Sequence, residues 1–527
     1  MWRNPWDSFD GLWRVPKVFS PMRGFRHQRF TLALASGYLS LLCTVGYSFL
    51  LVPLSLAHVS MGVLGLWFLG LQASRYLELV DLGISGASLR LISQTKFSPQ
   101  EYRKTMSAAW LVQMAQGMMI AGAGWLGSGF LARLLVTDIV HQEQLADFMF
   151  WIFLLNGVRF GLRVFPNLLR VNQLQHLLNL LTSLGILANL GILAAAMLRG
   201  YGPASFLWGF AAEWVIQTLG PLLVVAMRGD LPHGLSLGRP GLSELKALSR
   251  FGLAVFQMNS LRSLLESAPL VLAGRFFGPE SSAIWSIVAR AGTCLRDLLA
   301  QIQISAAPAF YDLMARGERD RMNQAFTRLS TASLSLGGVL LAMFAVWDSS
   351  FVLLWTSQKC LPPPLLPVLL ACILWMQIWN IWSAEASVSL FRTRPMAMAY
   401  LQETAVFILA FATVGRWGLM ELAGASLFAS LTSSFPRGIL LFRELWDKSA
   451  LPRGIVMLMG RGILTLGVLV WAARTSQSLL PPVNLQTFGL GVFITGLLAL
   501  VGWVLWLDPR WLAGLARGRP NRLDGSR

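Results

Sequence analysis

The run Ala146-Asp147-Phe148-Met149-Phe150-Trp151-Ile152-Phe153-Leu154-Leu155-Asn156-Gly157-Val158-Arg159-Phe160-Gly161-Leu162-Arg163-Val164-Phe165-Pro166-Asn167-Leu168-Leu169 sets two arginines inside a stretch apolar and long enough to cross a bilayer. Arg75, Arg262 and Arg290 are embedded in the same way in other apolar blocks. An ionisable group at bilayer depth costs at least ~2.5–3.5 kcal/mol on insertion scales, so such groups face a protein interior or a water-filled path. Arginines on several different helices therefore predict a cavity that receives an anion. They point to a transporter of something large and negatively charged.

The chain is greasy throughout. Of 527 residues, 55% are hydrophobic and only 13% charged, with mean hydropathy +0.58; soluble domains carry about 25% charged residues. The apolar content comes in blocks of roughly 20 residues, the length that crosses a ~30 Å hydrocarbon core. Blocks at 31–56, 62–89, 105–130, 146–169, 177–198 and 203–227 precede a polar connection. Blocks at 251–276, 282–310, 329–355, 365–391, 396–413, 417–442, 455–473 and 485–507 follow it. The expected fold is an all-α polytopic membrane protein of about fourteen transmembrane helices. Its expected parts are a basic, aromatic N-terminal segment (1–30), a six-helix lobe (31–227), a linker (228–250), a second six-helix lobe (251–442), two additional helices (443–507) and a basic tail (508–527). Six is even, so both lobes enter from the same side, as parallel repeats related by an axis along the membrane normal. Weak internal similarity agrees: Gly65-Leu66-Trp67 and Ala283-Ile284-Trp285 each follow a proline and glycines, and each Trp precedes an embedded arginine, Arg75 or Arg290.

A net charge of +18 would suggest a nucleic-acid partner in a soluble protein. Here Lys and Arg gather in alternate short loops, which is the positive-inside pattern of membrane topology, and no nucleic acid is expected. Arg14, Lys17, Arg23, Arg26 and Arg29 precede the first block and Arg510, Arg517, Arg519, Arg522 and Arg527 follow the last, so both termini are expected in the cytoplasm. The stretch 31–56 is longer than a signal-peptide core and has no evident cleavage site. The four cysteines have no disulfide or zinc spacing, and no metal site or cofactor is expected.

The second block and its flanks read Gly65-Leu66-Trp67, then Leu79-Val80-Asp81-Leu82-Gly83-Ile84-Ser85, then Arg90. This resembles the "GLW … LDLGL … R" stretch of the lipid-linked oligosaccharide (Wzx-type O-antigen) flippases, members of the multidrug/oligosaccharidyl-lipid/polysaccharide exporter superfamily. Gly278-Pro279-Glu280 with Ile284-Trp285-Ser286 is similar to that family's "G … A … YS" stretch, with Trp285 in place of the usual Tyr, and Pro308 stands before a basic amphipathic connection. The resemblance covers residues 30–330, and much of the last six blocks carries no motif. It implies a flippase in the bacterial cytoplasmic membrane that moves a polyprenyl-diphosphate-linked oligosaccharide to the outer leaflet by alternating access. Membrane lipids and a polysaccharide polymerase machinery are the partners it implies.

The residues fit that cargo independently. Arginine's planar fork matches phosphate oxygens in bidentate fashion and keeps its charge when partly desolvated. Arg159 and Arg163, at i and i+4, are expected to share one helix face, with no acidic neighbour on their span. With Arg75, Arg262 and Arg290 they are the diphosphate candidates. A structural alternative stands beside the functional one: Arg75 and Glu78 are spaced i,i+3 and Arg262 and Glu266 i,i+4, so each pair can simply neutralise itself. Glu213 and Glu266 are the coupling-ion candidates, with interhelical hydrogen bonding as the alternative. Trp375, Trp379 and Trp382 form a helical stripe expected at an interface belt or against lipid, with sugar stacking as the other reading.

An enzyme is not expected. A membrane polymerase or ligase needs a sizeable extracytoplasmic loop with acidic or His residues, whereas the most polar one here, around Asp138, His141, Glu143 and Asp147, is short. No nucleotide-binding loop or HExxH pattern occurs. Two rivals remain: a cation-coupled multidrug antiporter, which would favour acidic cavities and twelve spans, and a peptidoglycan-precursor lipid flippase.

Overall fold

In the computed structural model, residues 23–81, 84–95, 98–172, 174–228, 242–315, 318–390, 393–445 and 485–506 are described. Among them there is no strand; the chain is built from helices that run back and forth across one bundle. In the first lobe these are α1 (Arg23–His58), α2 (Met61–Arg75), α3 (Ile84–Thr95), α4 (Pro99–Leu135), α5 (Ile139–Gly161), α6 (Val164–Val171), α7 (Gln175–Leu198) and α8 (Ala204–Met227). In the second they are α9 (Leu242–Phe277), α10 (Pro279–Ala315), α11 (Arg319–Trp355), α12 (Leu366–Ser389), α13 (Thr393–Ala410), α14 (Leu419–Thr432) and α15 (Ser434–Leu445). A last helix, α16 (Leu485–Trp506), packs on α11, where the Trp347 indole donates to Thr495 Oγ1 at 3.0 Å. Seven described helices are long and apolar enough to cross a membrane, or eight counting one bent pair.

Thirteen of the expected blocks fall on these helices; the block 455–473 lies outside the described residues, as do residues 1–22 and 507–527. Of the expected linker (228–250), residues 229–241 lie outside the described residues and α9 begins at Leu242. Several blocks are broken rather than continuous. α5 and α6 form one span bent by 44°. Pro166 is the cause: it has no N–H for the Leu162 carbonyl, which instead accepts from Phe165 N at 3.2 Å in a tighter turn. The span that begins as α2 passes into a tight 3₁₀ segment, Tyr76–Asp81, before α3. The Gln116 side chain of α4 serves that break, donating to the Val80 and Asp81 carbonyls at 2.6 and 3.1 Å. The Asp81 carboxylate accepts from Ser85 N at 3.3 Å and thereby opens α3.

Lipid offers no hydrophobic drive between helices, so close packing of small residues matters more. α4 and α5 meet at Gly117 and Gly157; a methyl group on Gly117 would lie 2.3 Å from the Gly157 carbonyl oxygen. In the second lobe the tryptophans fill the interior. Trp382 is 0% exposed, and Trp379 stacks on Phe442 at 4.6 Å between ring centres. Neither Trp379 nor Trp382 is a belt or lipid-facing residue, nor free to stack on a sugar: their span is enclosed by α11, α14 and α15.

The lobes meet through α2 and α10, and through α9, which packs on α2, α3 and α4. Both α2 and α10 start at the end of the bundle where α1 finishes, here termed the distal end. A methyl group on Gly65 would lie 1.8 Å from the Pro279 carbonyl oxygen and 3.4 Å from Ala283 N. Gly65 and Ala283 each stand two residues before the Trp of the internal repeat. A residue that touches its own counterpart lies at the symmetry axis, so the contact fits lobes related as parallel repeats. A second distal seam joins α1 to α11: Phe49 meets Phe351 and Trp355 edge-on, and the Trp355 indole donates to the Phe49 carbonyl at 2.9 Å. Beyond it Lys359 Nζ donates to the Leu56 carbonyl. The bundle is shut at its distal end.

Candidate functional site

Inside the first lobe a chain of polar side chains crosses four helices. α8 presents one face successively as Phe206, Phe210, Glu213 and Gln217, and the first two pack on Trp67 of α2. One turn further on the same face turns polar. Glu213 accepts from Asn189 Nδ2 of α7 at 2.7 Å and from Gln217 Nε2 at 2.9 Å. Asn189 also reaches the Tyr47 hydroxyl of α1 at 3.3 Å. At the other end Arg159 Nη2 donates to Gln217 Oε1 at 3.4 Å. The chain thus runs Tyr47, Asn189, Glu213, Gln217, Arg159. It ties a predicted anion ligand to a predicted ion-coupling carboxylate.

Arg159 points inward. It lies seven residues, about two helical turns, beyond Ile152, whose side chain packs on Gly70 of α2. Val158, on the neighbouring face, is exposed on the outside of the bundle with Trp151 seven residues before it. Arg159 is exposed although its face is the inner one, which places it at the wall of an open space. Arg290 reaches the same region from the second lobe. Its guanidinium lies 5.1 Å from the ring centre of Phe68 on α2 and within electrostatic reach of Tyr47 and Arg75. Its Nε is buried without a hydrogen-bond partner. Arg75, two turns along α2 from Phe68, is exposed on that same side. Arg290 and Arg75 therefore come together near Phe68 and Tyr47 at the seam, and Arg159 is joined to Tyr47 through the polar chain, with Glu213 as the described acidic group in it.

Arg163 does something else. The break at Leu162 turns it off the face that carries Arg159, so the expected shared face does not form. It pairs with Asp81 at 3.3 Å, contacts Ser85 Oγ at 3.4 Å and lies 3.7 Å over the Phe160 ring. Asn167 adds a bond from α6 to the Ser85 carbonyl at 3.3 Å. Arg163 is a brace between two broken spans.

The second lobe holds a separate small pocket bordered by Arg262, Glu266, Gln377, Asn380, Tyr400 and Glu403 among others. Its charges are mostly matched. Glu266 is ion-paired with Arg262 at 3.6 Å and lies 4.0 Å from Arg296, which itself pairs with Asp297 at 2.7 Å. The i,i+4 pairing of Arg262 and Glu266 visible in the sequence is thus realised. Glu403 is different: it is 4% exposed, its Oε1 accepts from Ser430, and its Oε2 has no partner. The Asn380 Oδ1, 6% exposed on its residue, is likewise buried and unpaired. Among the described residues no cluster fit to hold a metal ion through His, Cys, Asp or Glu occurs.

No family model matches the sequence, and no curated protein does. Solved structures do. A lipid II flippase, MurJ, in an inward closed conformation superposes with TM-score 0.64 at 12% identity, over 93% of this chain and 99% of that one. An inward-facing multidrug resistance MATE transporter of the MOP superfamily gives 0.59 at 11% identity, over 79% and 98%. The MATE multidrug transporter DinF-BH gives 0.54 at 17%, over 78% and 95%. The chain has the fold of the MOP-superfamily transporters. These neighbours are transporters and a flippase.

Proposed function

We propose that the protein flips a polyprenyl-diphosphate-linked oligosaccharide from the cytoplasmic to the outer leaflet of the bacterial inner membrane, for polysaccharide or O-antigen export. The observation that carries the reading is the meeting of Arg75 and Arg290 at the seam, with Arg159 joined to it through the polar chain and Glu213 as the described acid in that chain. A diphosphate carries at least two negative charges, which such a region can accept. The carboxamides of Gln217 and Asn189 hold Glu213 from both sides, and Gln217 joins it to Arg159. The pattern of basic loops supports an outward-facing distal end, which is shut in this state. Release there then requires the α2–α10 and α1–α11 contacts to part. Polymerase machinery would take the glycan on the far side.

Both rivals share this fold. The multidrug reading predicts a cavity dominated by acidic groups, and the described interlobe charges are mainly basic. The peptidoglycan-precursor reading shares the diphosphate and differs only in the glycan. Coupling to an ion gradient fits the second-lobe pocket better than either acid expected from sequence, because Glu213 is held by two carboxamides and Glu266 by two arginines, whereas Glu403 has no cation on it.

The test is export in cells carrying Arg159→Ala or Arg159→Lys at matched protein level, with the lipid-linked intermediates extracted and identified. Alanine should reduce export by roughly ten-fold or more, while lysine, which keeps the charge but loses the fork, restores only part. A lipid-linked peptidoglycan precursor accumulating in its place would favour the second rival. Wild-type export by Arg159→Ala, or loss of resistance to cationic drugs with no accumulated glycan lipid, would refute the proposal.

A further inference from the structure

The distal closure brings three titratable side chains from both lobes to one point. His141, in the first turn of α5, bonds through Nδ1 to Asp138 at 2.6 Å. Its other ring nitrogen faces away from that carboxylate, toward α2. Nε2 lies 3.4 Å from the position a side chain on Gly62 would first occupy, and Cγ of Glu280, at the start of α10, lies 3.9 Å from the same position. His141 belongs to the first lobe and Glu280 to the second. Only the bare backbone of Gly62 stands beside both.

We propose that His141, Asp138 and Glu280 form a proton-binding latch across the distal seam. With the ring neutral, its single N–H is committed to Asp138, and Nε2 lies beside Gly62, where the Glu280 side chain also arrives. Nothing then links the lobes here. Adding one proton at Nε2 makes the ring a cation with a donor on each nitrogen, one toward Asp138 and one toward Glu280. The proton comes from solvent, since the His141 side chain is 32% exposed. No other bond changes. The charged groups facing the ring are Asp138 from its own helix start and Glu280 from α10, while α2 offers only Ser60 and backbone. Glu143 is two residues along α5, on another face, and Arg133 ends α4.

The consequence is a closed state strengthened by acid at the distal end, independent of which cargo is carried. On the orientation favoured by the basic loops, that end meets the outer solution, and a proton taken up there would speed the return to the state shut outside.

The experiment uses the full chain in lipid nanodiscs without cargo, with Cys43, Cys294, Cys360 and Cys372 replaced by alanine. Spin labels are placed at Leu198 and Leu361, exposed residues at the distal end of the two lobes. Double electron–electron resonance in acid (about pH 5.5) and in mild base (about pH 8), either side of the histidine range, reads the ratio of closed to open populations. The ratio should rise roughly two- to five-fold in acid, the range of a solvent-exposed ion pair, and the change should vanish in both His141→Gln and Glu280→Gln. A wild-type ratio that does not move with pH, or a pH response that survives in either variant, overturns the latch.

Discussion

Gly65→Ala should force the lobes apart at the distal end. The added carbon would sit 1.8 Å from the Pro279 carbonyl oxygen, against the 3.4 Å where ordinary contact begins, so α10 must withdraw by about 1.6 Å. Neither partner can give by rotating a side chain, because the obstacle is backbone on one side and the first carbon of a helix residue on the other. Overpacking of this kind costs typically ~1–3 kcal/mol, and when the strain exists in only one of two states it shifts their ratio by about 5–150-fold. The state described here should lose that factor to one in which α2 and α10 have separated. The same labelled chain reads it directly: the short-distance population between Leu198 and Leu361 falls and the mean distance lengthens. Two controls isolate the mechanism. A methyl group on Gly46 or Gly191 meets nothing within 4 Å, so those alanine variants should reproduce the parent. A methyl group on Gly124 would lie 2.4 Å from Phe153 Cβ inside the first lobe, so Gly124→Ala should lower thermal stability without changing the interlobe distance. An unchanged distribution in a stable Gly65→Ala protein would show that the seam is not the contact that holds the lobes shut.

Two further outcomes follow from burial. Trp382→Ala, which empties a fully enclosed site among Phe310, Phe326 and its own span, should cost about 3–5 kcal/mol of stability and lower the melting temperature in detergent; export lost with melting unchanged would mean the ring meets cargo after all. Cys360, fully buried after α11, has its thiol pushed from 9.0 to about 12, first by burial and then by Asp348 nearby. A raised thiol value means the folded state holds the proton that the unfolded chain releases. Its stabilising contribution is therefore complete below pH 9.0 and is lost as pH climbs toward 12, at up to about 1.4 kcal/mol per pH unit. Melting followed from about pH 8 to about pH 11, across the thiol range, should fall more steeply in the parent than in Cys360→Ser, and parallel curves would refute the assignment.

The helices were legible because each apolar block is long enough to name itself, and the arginines because charged residues are few in those blocks. Arg159, Arg75 and Arg290 were found for that reason. What periodicity could not supply was where a span breaks. Pro166 stands four residues after Leu162, and that spacing alone ought to have warned that Arg163 leaves the Arg159 face. Its partner, Asp81, lies on another broken span, a pairing no local pattern reveals. The polar chain was partly legible: Gln217 follows Glu213 at i+4, but Asn189 and Tyr47 are single polar residues on other helices that only packing brings together. The Trp stripe misled for a related reason. In a chain this apolar, aromatic residues facing lipid and aromatic residues facing the core look alike, and only neighbours such as Phe442 decide between them.

The two lobes differ in the polar groups they bury, and that difference constrains any mechanism. Along the seam the Nε of Arg290 is buried without a hydrogen-bond partner, and the acid of the first lobe's polar chain, Glu213, is occupied by Asn189 and Gln217. In the second lobe each arginine of the pocket has its carboxylate, so the charges cancel. What remains there is acceptor capacity, the Oε2 of Glu403 and the Oδ1 of Asn380, both buried and unpaired. A buried acceptor without a donor costs ~1–3 kcal/mol, more when it is charged, and the cost is removed by a proton or a small cation. A transporter that carries an anion and draws on a cation gradient needs two such unlike sites, set far enough apart that neither ligand neutralises the other. Placing them in different lobes has one more effect: an ion that binds the second lobe can alter the first only by changing how the lobes meet. The α2–α10 seam, with Gly65 against Pro279, is the largest such contact described, so coupling between the two sites must register there as a change in lobe separation.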